Sequence, residues 1–225
     1  MRLSVIIPVY NERETIEEIV KKVQEVDIEK EIIIIDGAST DGTTEIVKGL
    51  SGENIIKLYQ SQSIGKGSAV RWGIEVAKGD IIIIQDADLE YCPEDYHRLI
   101  EPIERGEADV VYGSRILGRN RFSYIRYLLG GLLLTALSNI LYGAGITDEP
   151  TCYKAFKADV IKGLNLKCKR FEFCPEVTAK VRKAGFAIKE VPIRYYPRRI
   201  EEGKKISWKD GIEAIWTLIK YRFYD

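Results

Sequence analysis

Two stretches of four consecutive isoleucines, Ile32–Ile35 in KEIIIID and Ile81–Ile84 in DIIIIQD, constrain this chain more than any other feature. A strand with one face in water alternates apolar and polar residues, whereas an unbroken β-branched run needs cover on both faces. LSVIIPVY (3–10), NIIKLYQ (54–60) and ADVVYGS (108–114) have the same character. Between these runs lie ETIEEIVKKVQEV, TTEIVKGL, GSAVRWGIEVAKG and PEDYHRLIEPIERG. The first carries Ile16, Ile19, Val20 and Val23 at helical spacing. The last opens with Pro93 at a helix N1 position, followed by Glu94 and Asp95. This alternation predicts an α/β fold: a Rossmann-like, doubly wound, mostly parallel sheet with helices on both faces. In such sheets, ligands sit at the carboxyl ends of the strands.

Beyond residue 115 the pattern changes. Residues 124–146 are long and apolar enough for a membrane span by length alone. Arg126, Thr135, Ser138 and Asn139 interrupt the run, and Gly130-Gly131 weakens a helix there. The expectation is a helix buried in the core or lying partly in a membrane interface. A strand (TCYKAFK), a helix (PEVTAKVRKAG), a strand (AIKEVPIRYY) and a final amphipathic helix (SWKDGIEAIWTLIKYRF) follow. Ser207 with Asp210 three residues on is a variant capping box for that last helix. Trp72 and Trp216 are expected to pack on the sheet.

Composition narrows the class. The 225 residues suit one large domain or two small ones. No secretory signal is expected after Arg2, so Cys92, Cys152, Cys168 and Cys174 read as free thiols in a reducing cytoplasm. With His97 the only histidine, the residue types do not suit a zinc site. Net charge is zero but uneven: residues 1–110 carry 12 Lys/Arg and 23 Asp/Glu, a net of −11. Residues 162–209 carry 14 Lys/Arg and 5 Asp/Glu, a net of +9. A basic segment of this kind is either a solvated surface or a rim that meets phosphates on a substrate or membrane.

The strand Ile81–Ile84 runs into Asp86, Asp88 and Glu90. If the chain stays extended, residues at i, i+2 and i+4 project to the same side. Three adjacent carboxylates call for a cation, and all-oxygen ligands favour Mg²⁺ or Mn²⁺. Because Mg²⁺ is usually shared with substrate phosphates, the cluster suggests a phosphorylated substrate. At the other strand ends stand PVYNE (Pro8–Glu12), IDGASTDGT (from Ile35) and GKG (Gly65–Gly67), polar turns that let a nucleotide approach closely. The GxGxxG fingerprint and the Walker A pattern are both missing, which argues against dinucleotide enzymes and P-loop proteins.

In order and spacing, VIIPVYNE, IDGASTDGT, GKGSAVRWG, GDIIIIQDADLEY, ADVVYGSR, TDEPTCYKAFK and EVPIRYYPRRIEEGKKISWKDG together resemble glycosyltransferase family 2, which has the GT-A fold. Within it the chain looks most like the dolichyl-phosphate mannose synthase and polyprenyl-phosphate glycosyltransferase branch. The resemblance implies one catalytic domain over 1–225, with 1–115 as the nucleotide-sugar half and 116–225 as the acceptor side. Pro8, Tyr10, Glu12, Asp36 and Lys66 would bind the nucleotide sugar, GDP- or UDP-linked, together with Asp86. Asp86, Asp88 and Glu90 match the DxD-type motif for metal and donor diphosphate. Arg115 would face the acceptor phosphate, with Arg126, Arg198, Lys204 and Lys205 as further phosphate contacts. Family members often carry DDGS where this chain has Asp36-Gly37-Ala38-Ser39. The resembled synthases often have transmembrane helices after the catalytic domain, and none is expected before Asp225.

The implied reaction is an inverting, metal-dependent displacement at the anomeric carbon. A lipid-phosphate acceptor is already an anion and needs positioning rather than a base. A hydroxyl acceptor needs a carboxylate base, for which Asp148 and then Glu176 are the candidates; a turn residue before Pro150 is the plainer account of Asp148. The competing readings are a nucleotidyltransferase, a non-catalytic nucleotide-sugar-binding subunit, and a family member acting on a soluble or cell-surface glycan hydroxyl. The first would need a glycine-rich loop where PVYNE stands. Expected partners are the nucleotide sugar, a polyprenyl phosphate and a membrane surface, but not nucleic acid. The expected location is the cytoplasm, extending to peripheral attachment at the inner membrane face.

Overall fold

Every residue of β1 (Leu3–Val9) and β2 (Lys30–Asp36) is buried, the isoleucine run of β2 completely so. This is a computed structural model, and it describes residues 1–122, 124–198 and 207–224. With β3 (Ile55–Tyr59), β4 (Ile81–Ile84), β5 (Val110–Ser114), β6 (Lys154–Lys157) and β7 (Ile188–Pro192) these strands form one sheet. Its order is β3-β2-β1-β4-β6-β5-β7. β1 pairs in parallel with both β2 and β4, while β6 runs antiparallel between β4 and β5. The sheet is therefore mixed, mostly parallel and α/β, as the isoleucine runs require.

The helices are α1 (Ile16–Glu25), α2 (Thr43–Gly49), α3 (Lys66–Val76), α4 (Tyr96–Glu104), α5 (Ile125–Tyr142), α6 (Ala158–Gly163), α7 (Phe173–Lys183) and α8 (Trp208–Phe223). α1 buries Ile16, Ile19, Val20 and Val23, the positions that its periodicity singles out. Trp72 packs against the core as expected. All four cysteines are free thiols.

Polar residues buried at the amino ends of the strands are satisfied internally. Glu31 accepts from Ser4 Oγ at 2.6 Å and from the backbone N–H of Lys78 and Gly79. Lys30 Nζ donates to the carbonyls of Gln24, Val26 and Ile28. Buried ionic groups at that end thus knit strands and loops together. The polar residues at the carboxyl ends are arranged differently, as described below.

α5 corrects one expectation. Its only buried residues are Thr135 and Ser138, whereas Ile125, Leu129, Leu133 and Ile140 face outward. It is long and apolar enough to cross a membrane by length and composition, yet 11% of it is buried. It is not a core helix. α8 is similar: Ala214, Thr217, Leu218 and Tyr221 face inward, while Trp208 and Trp216 are exposed. Trp216 therefore does not pack on the sheet. The capping box at Ser207 forms, with Ser207 N and Oγ each donating to Asp210 Oδ2 at 2.7 Å.

Candidate active site

A cleft of about 900 Å³ opens at the carboxyl ends of the central strands. Its walls include Glu12 and Arg13 from the loop after β1, Asp41 after β2, Asp88 after β4, and Tyr196 and Arg198 after β7. This is where a doubly wound sheet offers backbone turns to a ligand.

The extended geometry assumed for Asp86, Asp88 and Glu90 does not hold. β4 ends at Ile84, a turn follows, and Leu89 takes a left-handed φ of 61°. The turn is stabilised by Asp88 Oδ1, which accepts from Glu90 N at 3.1 Å. The strand end itself is fixed by Gln85, whose Oε1 accepts from Tyr96 and Tyr153 while its Nε2 donates to the Asp86 carbonyl. The three carboxylates still feel one another. Burial, then the charges of Asp86 and Glu90, push Asp88 up to about 7.

Each carboxylate has a distinct partner. Lys66 Nζ lies 2.5 Å from Asp86 Oδ1. Burial, the largest single influence, would lower the Lys66 pKa, but the charge and hydrogen bond of Asp86, with Cys152 and Cys174 close by, together outweigh it and the amine is held protonated. Glu90 is turned toward the segment after β7, accepting from Tyr195 Oη at 2.9 Å and Arg198 N at 2.6 Å. Its carboxylate thereby ties that segment to the β4 loop. Among the described residues, no three His, Cys, Asp or Glu side chains form a complete metal cage. Asp86 and Asp88 nonetheless fit a hard divalent cation, which commonly takes one or two carboxylates and completes its shell with water and phosphate. Burial is the first cause of the raised Asp88 pKa and the charges of Asp86 and Glu90 come next, so this carboxylate lies covered and among like charges.

Lys66 owes its position to two glycines. Gly65 has φ +128°, and a Cβ there would stand 2.7 Å from the Lys169 carbonyl. A Cβ on Gly67 would stand 2.8 Å from the Arg170 carbonyl. Only glycine lets the start of α3 lie this close to the 168–170 backbone, which it meets through Gly67 N and Ser68 N.

The nucleoside-side candidates surround β1 and β2. Pro8 is buried in β1 and paired with Ile35, and Tyr10 is exposed just beyond. Asp36 is buried. Its Oδ1 accepts from Ser39 N and Oγ, and its Oδ2 from Thr44 Oγ1, so it shapes the loop after β2. Glu12 grips the Arg198 guanidinium through both oxygens, at 2.9 and 3.0 Å.

Asp148 is not placed as a base. Its carboxylate is buried and clamps Arg115 Nε at 2.8 Å and Nη2 at 2.7 Å, and also accepts from Arg115 N. Burial would raise its pKa, but the guanidinium holds it below the usual carboxylate range. Glu176 is also corrected: it is buried against Lys180, Lys167 N and Tyr221 Oη, far from a base's role. Arg115 itself is almost wholly covered and stacks over Tyr195 and Phe122 at 5.0 and 5.7 Å. It underlies the cleft rather than lining it. Arg126 is exposed on the first turn of α5, stacked on Tyr124 and Tyr127. Lys204 and Lys205 lie outside the described residues.

Three participants went unpredicted. Tyr195 joins Glu90 to the Arg115 stack. Gln85 fixes the Asp86 backbone. Glu190 holds the loop before Asp148 by accepting from Thr147 N and Oγ1 and Asp148 N. Tyr195 and Glu190 have partners tens of residues away, and Gln85 is held in place by Tyr96 and Tyr153 rather than by its chain neighbours, so nothing in local spacing flags them.

Comparison with known proteins bears on this geometry. Residues 4–164 match the model of the family described as "Glycosyl transferase family 2". The chain is 31% identical over 226 residues to the low-salt glycan biosynthesis hexosyltransferase of Haloferax volcanii, covering 97% of this chain and 52% of that protein. It is 30% identical to the dolichol-phosphate mannosyltransferase of Pyrococcus furiosus, covering 91% of this chain and 59% of the relative. A Methanococcus voltae UDP-N-acetylglucosamine–dolichyl-phosphate N-acetylglucosaminyltransferase is 31% identical, with 85% and 84% covered. The chain thus spans only about half to three-fifths of the first two relatives. The fold matches the crystal structure of Mycobacterium tuberculosis glucosyl-3-phosphoglycerate synthase in complex with Mn²⁺, UDP and glucosyl-3-phosphoglycerate. The TM-score is 0.73 at 22% identity, covering 99% of this chain and 80% of that one.

Proposed function

The chain belongs to glycosyl transferase family 2, and on that premise we propose that it is a metal-dependent, inverting hexosyltransferase moving a sugar from a nucleotide sugar to a polyprenyl phosphate. The observation that carries this reading is the meeting of Asp86, Asp88, Lys66 and Arg198 at the carboxyl end of β4, beside the cleft. Two carboxylates and two cations within one site suit a diphosphate that arrives with a cation.

In this reading Pro8, Tyr10, Glu12 and Asp36 form the nucleoside side. Asp86 and Asp88 would hold Mg²⁺ or Mn²⁺, which would supply positive charge to the departing nucleoside diphosphate. Lys66, held protonated, adds a fixed cation on the donor side. An acceptor phosphate oxygen forms the new bond to the anomeric carbon while the bond to the diphosphate oxygen breaks and its electron pair leaves with the nucleotide. No proton need move, which agrees with Asp148 being locked as the partner of Arg115. Arg198, Arg126, Lys204 and Lys205 would meet phosphate. Arg115 would act from beneath, keeping Tyr195 and the Glu90 link in place.

A lipid acceptor is supported by the names of the Pyrococcus and Methanococcus relatives and by the outward apolar faces of α5 and α8. The test is a panel of UDP- and GDP-sugars offered to the purified protein with polyprenyl phosphate in detergent or with soluble glycan acceptors. Transfer to the lipid phosphate is expected, abolished by excess chelator, restored by Mg²⁺ or Mn²⁺, and lost in a folded Asp88→Asn variant. Full activity in chelator removes the metal from the mechanism. Transfer confined to soluble hydroxyls replaces the acceptor assignment.

A further inference from the structure

The Arg198 guanidinium bridges the two loops that bound the candidate site. Its Nη1 and Nη2 lie 2.9 and 3.0 Å from the two oxygens of Glu12, and Nη2 is also 3.4 Å from Asp88 Oδ2. Its own backbone N–H is anchored on Glu90 at 2.6 Å, so the side chain is delivered from a fixed point rather than from a free loop. The side chain is only 17% exposed, and Nε is buried without a hydrogen-bond partner. Burying such a donor is a cost accepted only where the guanidinium meets strong opposing charge. That charge is present: Asp86 and Glu90 bear on Asp88, and among the described residues Arg198 reaches both Asp88 and Glu12.

We propose that Arg198 is an internal counter-cation that competes with the divalent metal for Asp88. This rests on the reading of Asp86 and Asp88 as the metal-holding pair. A guanidinium ion-paired with Asp88 at 3.4 Å and a metal ion coordinated by the same carboxylate place two positive charges on one small group. Binding of the metal therefore requires Nη2 to release Asp88, and the work of that release is subtracted from metal affinity. Glu12 retains the guanidinium through its two-oxygen grip, so Arg198 need not leave the cleft. Once off Asp88, Nη2 stands at the cleft wall with a donor free for an anionic group. The consequence is a site that holds metal weakly by itself and more tightly when a diphosphate brings anionic oxygens for both cations. By thermodynamic linkage, whatever draws Arg198 away from Asp88 strengthens metal binding by the same factor.

The experiment measures binding of Mn²⁺ alone, read from the electron paramagnetic resonance signal of free Mn²⁺, with no nucleotide or acceptor present. Wild type is compared with Arg198→Ala, Arg198→Gln and Arg13→Ala. Arg13 lines the same cleft, so its removal deletes equal charge without touching the Asp88 contact. Both Arg198 variants should bind Mn²⁺ about tenfold more tightly than wild type, and Arg13→Ala should bind as wild type does. Misfolding cannot mimic this result, because it would weaken binding rather than strengthen it. If wild type binds Mn²⁺ and the Arg198 variants bind it equally or less well, the competition is overturned while the metal site stands. If Arg13→Ala tightens binding as much as the Arg198 variants, general charge rather than occupancy is responsible and the proposal falls. If no form binds Mn²⁺, both this inference and the metal assignment beneath it are overturned.

Discussion

Arg115 and Asp148 form a buried two-pronged pair, Nε to Oδ2 at 2.8 Å and Nη2 to Oδ1 at 2.7 Å, and the Arg115 backbone N–H completes the grip. The next residue, Glu149, is equally buried but differently placed. Its Oε1 meets only Thr178 at 3.3 Å and its Oε2 has no partner. The two neighbours should respond oppositely to neutralisation. Asp148→Asn strands a buried guanidinium, a change that typically costs about 3–5 kcal/mol. Glu149→Gln removes a charge that burial disfavours, and its stability at neutral pH should fall within about 1 kcal/mol of wild type or above it. Urea denaturation of the two variants checks this. A loss for Glu149→Gln as large as that for Asp148→Asn would refute the contrast.

The same pair predicts opposite pH dependences. Asp148 titrates in the folded protein below its usual 3.8 because Arg115 overcomes the effect of burial. Its contribution is present above that pH and is lost as pH falls through the folded value. The penalty of Asp148→Asn should therefore shrink in acid. Glu149 is pushed above its usual 4.5 by burial. The unfolded chain then loses its proton first, and stability declines as pH rises from about 4.5 through the folded value. Glu149→Gln should gain on wild type across that window and show no advantage below it. Denaturation midpoints measured from pH 3 to pH 8 would show both trends, and parallel curves for all three proteins would contradict them.

Gly67→Ala tests how Lys66 is positioned. The added methyl would sit 2.8 Å from the Arg170 carbonyl, where backbone on both sides leaves little room to give. Overpacking of this kind typically costs about 1–3 kcal/mol. The start of α3 must shift, and Lys66 moves with it off Asp86. The expected result is a modest drop in melting temperature with a KM for the nucleotide sugar raised tenfold or more. Gly49→Ala, which meets nothing within 4 Å, is the control and should be silent in both measurements.

What was legible in the sequence follows from how local each signal is. The strands announced themselves because isoleucine runs need cover on both faces, and each predicted run became part of a strand. α6 went unread, since the six residues of ADVIKG carry too little periodicity to stand out. The Asp86–Glu90 turn was misread because it depends on Leu89 adopting a left-handed φ, a conformation that leucine's side chain gives no reason to expect. The outward face of Trp216 was hidden for another reason: an apolar stripe at helical spacing looks the same whether it faces a core or an exterior. The grip of Glu12 on Arg198 joins residues 186 positions apart and has no local signature. Asp148 was legible as important but not in its role, because only the folded chain shows that Arg115 occupies both of its oxygens.

The outward faces of α5 and α8 carry the last prediction. The helices pack on each other, with Tyr142 Oη donating to the Leu218 carbonyl, yet each leaves an apolar stripe uncovered. On α8 the stripe is Trp208, Ile212, Trp216, Ile219 and Phe223, with exposed Lys209, Lys220 and Arg222 beside it. Aromatic rings mixed with basic side chains suit the boundary between acyl chains and anionic headgroups. Full burial of one such ring is worth about 1.5–3 kcal/mol. If three rings each gain half of the lower figure, their loss lowers membrane partitioning by more than about tenfold, since about 1.4 kcal/mol is a factor of ten. The protein should therefore sediment with anionic vesicles at low salt and be released at high salt, where the basic contribution is screened. Trp208→Ser, Trp216→Ser and Phe223→Ser together should cut that binding at least tenfold while the melting temperature holds, because none of the three is part of the core. Retention of the wild type in the pellet after alkaline wash would instead indicate insertion of α5. Equal partitioning of the triple variant would show that the α8 stripe is not the contact, and robust transfer to a soluble sugar with no vesicle binding would remove the bilayer from the account of this site.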